Sequence, residues 1–356
     1  NRNLIINGAM QVAQRGTSST ANSYSTVDRF RVDDGGHDEA STKEQAAVTS
    51  GGAYDSGFRK CLKITNGDQT NGAGASDYIQ ILTKIEAQDV ASSGWKYTST
   101  SSFITVSFWI KSSVAQAFSG SIRTVDGTAQ SFKFDTPSLT ADTWTRVTKT
   151  IPGNSNLTFD NNNDRGLELY LFPFIGTTYT TANSNSETWV TAAGDTYANN
   201  MTSTWWTTDN ATFELTGVQI EVGSVATDFE HRSYADELRR CQRYYAKYSS
   251  IGSNYAQFLV TSGYSTDTDS RGMFNFVVEM RVANPSFTYS GSSGNVTDFV
   301  DLGGKAINLF SISDAGTGKN TGIRCIFSGS NTSNGFSHVI RANNTANAFF
   351  AFDAEL

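Results

Sequence analysis

Phe103-Ile104-Thr105-Val106-Ser107-Phe108-Trp109-Ile110-Lys111 decides how this chain folds. Successive side chains of a strand point to opposite faces. Ile104, Val106, Phe108 and Ile110 therefore point one way, and Phe103, Thr105, Ser107 and Trp109 the other. Large rings on both sides predict a strand covered on both faces. The same period of two recurs at residues 121–125, 130–134, 144–151 and 166–172, with turn pairs such as Asp126-Gly127 and Pro152-Gly153 between them. Short strands at regular intervals predict a β-sandwich.

Residues 211–223 carry a change of register. Phe213 and Leu215 are odd, whereas Val218, Ile220 and Val222 are even. One extra residue explains the change, and a β-bulge at Thr216-Gly217 absorbs it, because a simple slip would turn the core face outward.

From Ser233 the period becomes helical. Ser233 followed by Asp236 and Glu237 resembles a capping box, and Arg239, Arg240, Arg243 and Lys247 crowd the negative end. A helix from Tyr234 to about Tyr248 is predicted, with Tyr234, Leu238, Cys241 and Tyr245 as its apolar stripe. That stripe packs on a β-domain or self-associates at a subunit axis. Alternation returns at residues 255–261, 272–281, 305–313, 321–327 and 346–352.

The expectation is an all-β chain of two jelly-roll-like β-sandwich domains, residues 1–230 and 251–356, joined by a short α-helix within 231–250. At roughly 150 residues per domain, a length of 356 residues favours two domains. All six Trp precede residue 207, so the domains differ in composition.

Only 17% of residues are charged, and 27 Lys plus Arg against 34 Asp plus Glu leave a net charge of −7. The polarity comes from Ser, Thr, Asn and Gly, and no concentrated basic stripe suits nucleic acid. Cys61, Cys241 and Cys325 are an odd number of distant cysteines, which fits assembly in a reducing cytoplasm. No apolar run reaches the ~18 residues of a membrane span, and residues 1–20 lack a signal-peptide pattern. The first residue is Asn, which points to processing or to a longer polypeptide.

Chemistry is sparse. His37, His231 and His338 sit in unrelated contexts, with no HExxH, CxxC, GxSxG or P-loop pattern, and no enzyme is expected. Asp160, Asn162 and Asp164 place oxygen ligands at alternate positions, as a structural calcium requires. An Asx-rich turn reads the same residues equally directly. No other cofactor is implied. Between residues 188 and 210, Trp189, Tyr197, Trp205 and Trp206 stand among Thr, Asn, Ser and Asp. Flat rings stack on sugars while the neighbours bond hydroxyls, so these four are the glycan-binding candidates.

Residues 3–16 (Asn3-Leu4-Ile5-Ile6-Asn7-Gly8-Ala9-Met10-Gln11-Val12-Ala13-Gln14-Arg15-Gly16) and Val27-Asp28-Arg29-Phe30 resemble the opening of tail-fibre and receptor-binding proteins of tailed bacteriophages. The resemblance continues through Ser107-Phe108-Trp109-Ile110-Lys111-Ser112, Trp144-Thr145-Arg146-Val147 and Gly217-Val218-Gln219-Ile220-Glu221-Val222-Gly223-Ser224-Val225-Ala226-Thr227. It ends at Phe229-Glu230-His231-Arg232-Ser233-Tyr234 and Cys241-Gln242-Arg243-Tyr244-Tyr245, so it spans about residues 1–248. It implies a jelly roll similar to carbohydrate-binding modules, on a virion fibre that is usually a homotrimer, with no catalytic residues. The matching segments are expected to be scaffold. The expected partners are host cell-surface polysaccharide and other tail or capsid proteins. A structural fibre segment or a decoration protein without a receptor site is the alternative, and a glycan depolymerase the third.

Overall fold

A computed structural model describes residues 2–181, 186–250, 254–263, 268–291, 296–302, 306–314, 318–327 and 337–356. The chain is all-β with few helices, and it divides into one unit of Asn1–Leu238 with Leu356 and another of Arg239–Glu355.

The first unit is a sandwich of two six-stranded sheets. The first sheet runs, in spatial order, Ser18–Ser19, Thr42–Ala47, Lys60–Thr65, Thr212–Val222, Phe103–Ser112 and Thr145–Pro152. The second runs Trp189–Thr191, Gln130–Asp135, Ser119–Thr124, Arg165–Ile175, Tyr78–Glu86 and Arg31–Gly35. Ile104, Val106, Phe108 and Ile110 fill the core against Ile79, Ile81, Ile122, Phe132, Phe134 and Leu169, all buried. Fully burying each such side chain is worth about 1.5–3 kcal/mol. The opposite face of Phe103–Ser112 is covered too. Trp109 packs with Phe58, Ala53 of the short helix Gly51–Asp55, and Phe229.

The bulge lies where the register change places it. Pairing of Thr212–Val222 with Phe103–Ser112 slips between Thr216 and Gln219, and Gly217 takes a φ of 63°. A Cβ at Gly217 would lie 2.6 Å from the Phe58 ring, so glycine answers two demands at once.

Asp34, on the edge strand Arg31–Gly35, and Lys43, on Thr42–Ala47, tie the two sheets together. The Lys43 ammonium lies 3.0 Å from the Asp34 carboxylate, and both side chains are almost wholly buried. Burial would raise the Asp34 carboxyl, but hydrogen bonds from Ser41 and Lys43 outweigh that and hold it below its ordinary value.

In the second unit six strands close on themselves in the order Gln257–Gly263, Asp269–Asn275, Asn320–Phe327, Ala306–Asp314, Val296–Asp301 and Ser337–Ala342. A three-stranded sheet of Tyr245–Ser249, Phe349–Asp353 and Ser286–Tyr289 accompanies this barrel. Phe274, Phe299, Phe310, Phe350 and Phe352 dominate its core. The larger sheet of this unit is thus a closed barrel. The run read as one strand over 272–281 leaves the ladder after Asn275.

The helix is shorter than its charge pattern predicts. It spans Tyr234–Gln242, and Ser233 caps it by accepting the Asp236 amide at 3.2 Å. Tyr245, the last residue of the expected stripe, instead begins the strand Tyr245–Ser249. Ala246 pairs with Phe352 and is buried, while the Tyr248 ring meets Phe274 at 4.8 Å. A ladder with a central strand outweighs one further helical turn.

Two stability tests follow from this architecture. Gly217→Ala should lower unfolding stability by about 1–3 kcal/mol in a denaturant titration, from the positive φ and the Phe58 clash. Because the Asp34 carboxyl is lowered in the fold, its stabilisation is complete above the unfolded value of about 3.9. It is lost as pH falls through the lower folded value. Asp34→Asn should flatten that acid limb, and Lys43→Met should cost about 3–5 kcal/mol at neutral pH in the same titration by stranding a buried charge.

Candidate functional site

The second sheet has an outer face unlike an ordinary solvated one. Alternation along Tyr78–Glu86 sends Ile79 and Ile81 into the core and Tyr78, Gln80 and Leu82 outward. On the adjacent strand Glu168, Tyr170 and Phe172 point the same way, with Tyr170 paired to Leu82 and to Ser121. The chain leaves this sheet after Ile175 and forms the turn Thr177–Tyr179. Thr180–Thr181 then pairs in parallel with Ala198–Asn199. This segment lies over the outer face and packs on Leu82, Tyr170 and Phe172 through Ala198, Tyr179 and Tyr197.

A cavity of about 200 Å³ opens here, lined by Tyr78, Gln80, Ile175, Tyr179 and Tyr197. The Tyr78 and Tyr179 rings meet edge to face at 5.7 Å, and Tyr197 meets Tyr170 in the same way at 5.4 Å. The Arg123 guanidinium sits 3.8 Å from the Tyr197 ring centre, which fixes that ring by a cation–π contact. Gln80 donates its amide to Asp33 at 3.1 Å, and Arg31 donates to the same carboxylate oxygen at 2.7 Å. Its amide thus held, Gln80 has a carbonyl oxygen to accept a ligand hydroxyl. Burial, then the Asp33 charge, push the Tyr78 phenol up. Tyr170 is raised further by burial and Glu168, to which it donates at 3.0 Å. Both phenols stay protonated at neutral pH. Aromatic walls with an amide and phenols suit a neutral, hydroxyl-rich ligand.

Of the four predicted aromatic residues, only Tyr197 enters this cavity. Trp189 lies on the edge strand Trp189–Thr191, its ring tilted on Phe132 at 5.4 Å and its N–H given to the Pro152 carbonyl at 2.7 Å. Trp205 and Trp206 are wholly buried in the core, which removes them as sugar platforms. Trp206 packs on Phe174 at 5.1 Å and donates to the Gly72 carbonyl, while Trp205 donates to the Thr212 carbonyl at 3.0 Å. A Trp-Trp pair amid Thr and Ser looks solvated locally, but these rings plug the sandwich. Tyr78, Gln80 and Tyr179 were missed, although strict alternation through residues 78–82 is the signal that would have placed the first two.

Asp160, Asn162 and Asp164, the calcium candidates, lie in a turn. The Asn162 side chain accepts the Asp164 amide at 3.0 Å, and the Asn162 and Asp164 carbonyls accept the amides of Gln88 and Ala87 at the start of the helix Ala87–Ala91. Among the described residues no group of three or more His, Cys, Asp or Glu could hold a metal ion. His231 directs Nε2 at the Ser56 carbonyl, 3.0 Å away.

No family model matches the chain, and no curated protein matches it. In solved structures it is similar to carbohydrate-binding modules and to a phage tailspike domain. The N-terminal cellulose-binding domain of β-1,4-glucanase C from Cellulomonas fimi is 10% identical, covers 61% of this chain and 99% of its own, and has a TM-score of 0.29. An N-terminal CBM22 tandem domain from Paenibacillus barcinonensis is 10% identical, covers 99% of this chain and 95% of its own, and has a TM-score of 0.28. The enzymatically active domain of tailspike protein 4 of bacteriophage CBA120 is 12% identical over 62% of this chain, with a TM-score of 0.33. This chain spans 21% of that protein's length.

The burial of the tryptophans has a direct consequence. Trp206→Ala should lower stability by about 3–5 kcal/mol, read as a lower melting temperature, whatever ligand the protein binds.

Proposed function

We propose that this chain is a non-enzymatic glycan-binding protein whose tyrosine cavity takes a neutral sugar ring, and that it serves as a phage tail-fibre component attaching the virion to host polysaccharide. The observation that carries the reading is the meeting of Tyr78, Tyr179 and Tyr197 around one cavity on an outer sheet face, with Gln80 beside them. Sugar rings have apolar C–H faces that stack on such rings and hydroxyls that bond the amide. The sequence resemblance to tail-fibre proteins supplies the virion setting and the trimeric fibre. Weak single-site binding suffices there, since linked copies raise the effective concentration of each site.

The test is adsorption of the purified, fluorescently labelled chain to intact host cells, with and without periodate oxidation of their surface sugars. Binding should be periodate-sensitive, and Tyr197→Ala should weaken it about tenfold, near the 1.4 kcal/mol expected of one lost stacking ring, with a smaller fall in melting temperature than Trp206→Ala. No adsorption, together with stable docking onto another virion protein, would replace this reading with the structural fibre or decoration protein. Release of reducing ends from host polysaccharide would replace it with a depolymerase.

A further inference from the structure

The first sheet carries a second and larger cavity, of about 450 Å³, within the size range of small-molecule sites. It exists because of the bulge. Ser107 pairs with Gln219 and Trp109 with Thr216, so the unpaired Gly217 contributes no side chain between them. The floor is therefore Ser107, the edge of Trp109 and bare backbone. Phe58, Phe229 and His231 form one wall, each ring within 5.0 Å of the others. Arg146, Asp55 and Asp228 complete the lining.

Two polar groups on this floor are unused. Trp95, Trp189, Trp205 and Trp206 all give their indole N–H to backbone carbonyls. The Trp109 indole N–H, like that of Trp144, makes no hydrogen bond among the described residues, although Trp109 is half-buried. Its far ring edge faces Gly52, and Cδ1, the atom bonded to the indole nitrogen, faces Gly217, as the positions of a built Cβ at each glycine show. The Ser107 hydroxyl, on a residue 3% exposed, is likewise without a hydrogen bond among the described residues. Neither atom is sealed off from solvent, so both open onto the cavity, where a ligand hydroxyl can reach them.

We propose that this cavity is a second saccharide site, on the sheet opposite the tyrosine cavity and independent of it. The lining holds carboxylates and a guanidinium together, so neither an anion nor a cation is favoured as such. Hydroxyl groups, each both donor and acceptor, suit Asp55, Asp228, Arg146, Ser107 and the Trp109 N–H at once. The aromatic wall faces the apolar side of the ring. One chain would then hold two glycan strands, one on each outer sheet face.

The test is calorimetric titration of the full chain with cellohexaose, xylohexaose and mannohexaose, alongside fluorine NMR of the chain labelled with 5-fluorotryptophan. Two molecules should bind per chain. The Trp109 resonance, assigned by its loss in Trp109→Phe, should shift on binding. Ser107→Val and, at the exposed rim, Arg146→Ala should each weaken one site at least tenfold and leave the other, whereas Tyr197→Ala should do the converse. A single molecule per chain that is lost in Tyr197→Ala and indifferent to Ser107→Val and Arg146→Ala overturns this site and leaves the tyrosine cavity. A single molecule with the opposite sensitivities upholds this site and overturns the other. Silence toward all three hexasaccharides overturns both as neutral-sugar sites.

Discussion

The bulge at Gly217 is the constraint on which much of the first unit depends. An extra residue in a central strand frees one amide and one carbonyl from the ladder, and both must be satisfied inside the protein. The N-terminal segment supplies the partners. Val218 donates to the Gly8 carbonyl at 3.0 Å, and the Val218 carbonyl accepts from the Asn3 side chain at 3.2 Å. A Cβ on Gly8 would stand 2.1 Å from that carbonyl oxygen, so only glycine lets the two backbones approach. Asn3 also accepts the Ile220 amide at 3.1 Å, which extends the seam along the strand.

The same seam binds the segment that leads into the helix. Glu230 accepts the Asn3 amide at 2.7 Å and gives its own amide to Gln219 at 2.9 Å. Arg232 donates to the Asn3 and Ile5 carbonyls, and Glu237 accepts the Asn7 amide. Asn3-Leu4-Ile5-Ile6-Asn7-Gly8, Gly217-Val218-Gln219-Ile220 and Phe229-Glu230-His231-Arg232, far apart in sequence, are thus one hydrogen-bonded assembly. They carry much of the resemblance to tail-fibre proteins, and their physical role here is to close the sandwich around a bulge.

What could be read from the sequence was whatever is local and periodic. Phe103–Ser112, Arg165–Ile175 and Asn320–Phe327 announce themselves by alternation, and the bulge by its break. Strands such as Thr42–Ala47 were not read, because the inward-facing Lys43 and the polar Thr42, Glu44 and Gln45 leave no apolar period. Helical charge spacing continued past Gln242, but a partner strand more than a hundred residues away claimed Tyr245–Ser249. The tryptophans misled for a related reason. A Ser- and Thr-rich neighbourhood describes the surface of a turn, not the direction of its rings, and the buried pair points inward from such a turn. Tyr197 was legible because it is aromatic, yet its companions come from a strand and a turn distant in sequence.

The tyrosine cavity joins two kinds of wall, and this bears on how such a site can vary. Tyr78 and Gln80 stand on a strand paired on both sides, so sheet pairing fixes their backbone positions. Tyr179 and Tyr197 hang from a parallel pair only two residues long, steadied by the Tyr197 amide bonding the Tyr179 carbonyl at 3.2 Å and by Arg123 against one ring. Substitutions in the strand disturb the core through Ile79 and Ile81, whereas substitutions at Tyr179 and Tyr197 disturb the smaller cluster of Leu82, Tyr170 and Phe172 on the outer face. Under the proposed function, ligand preference can therefore change at Tyr179 and Tyr197 at less cost to the core, while Tyr78 and Gln80 keep the platform on which any such change is built.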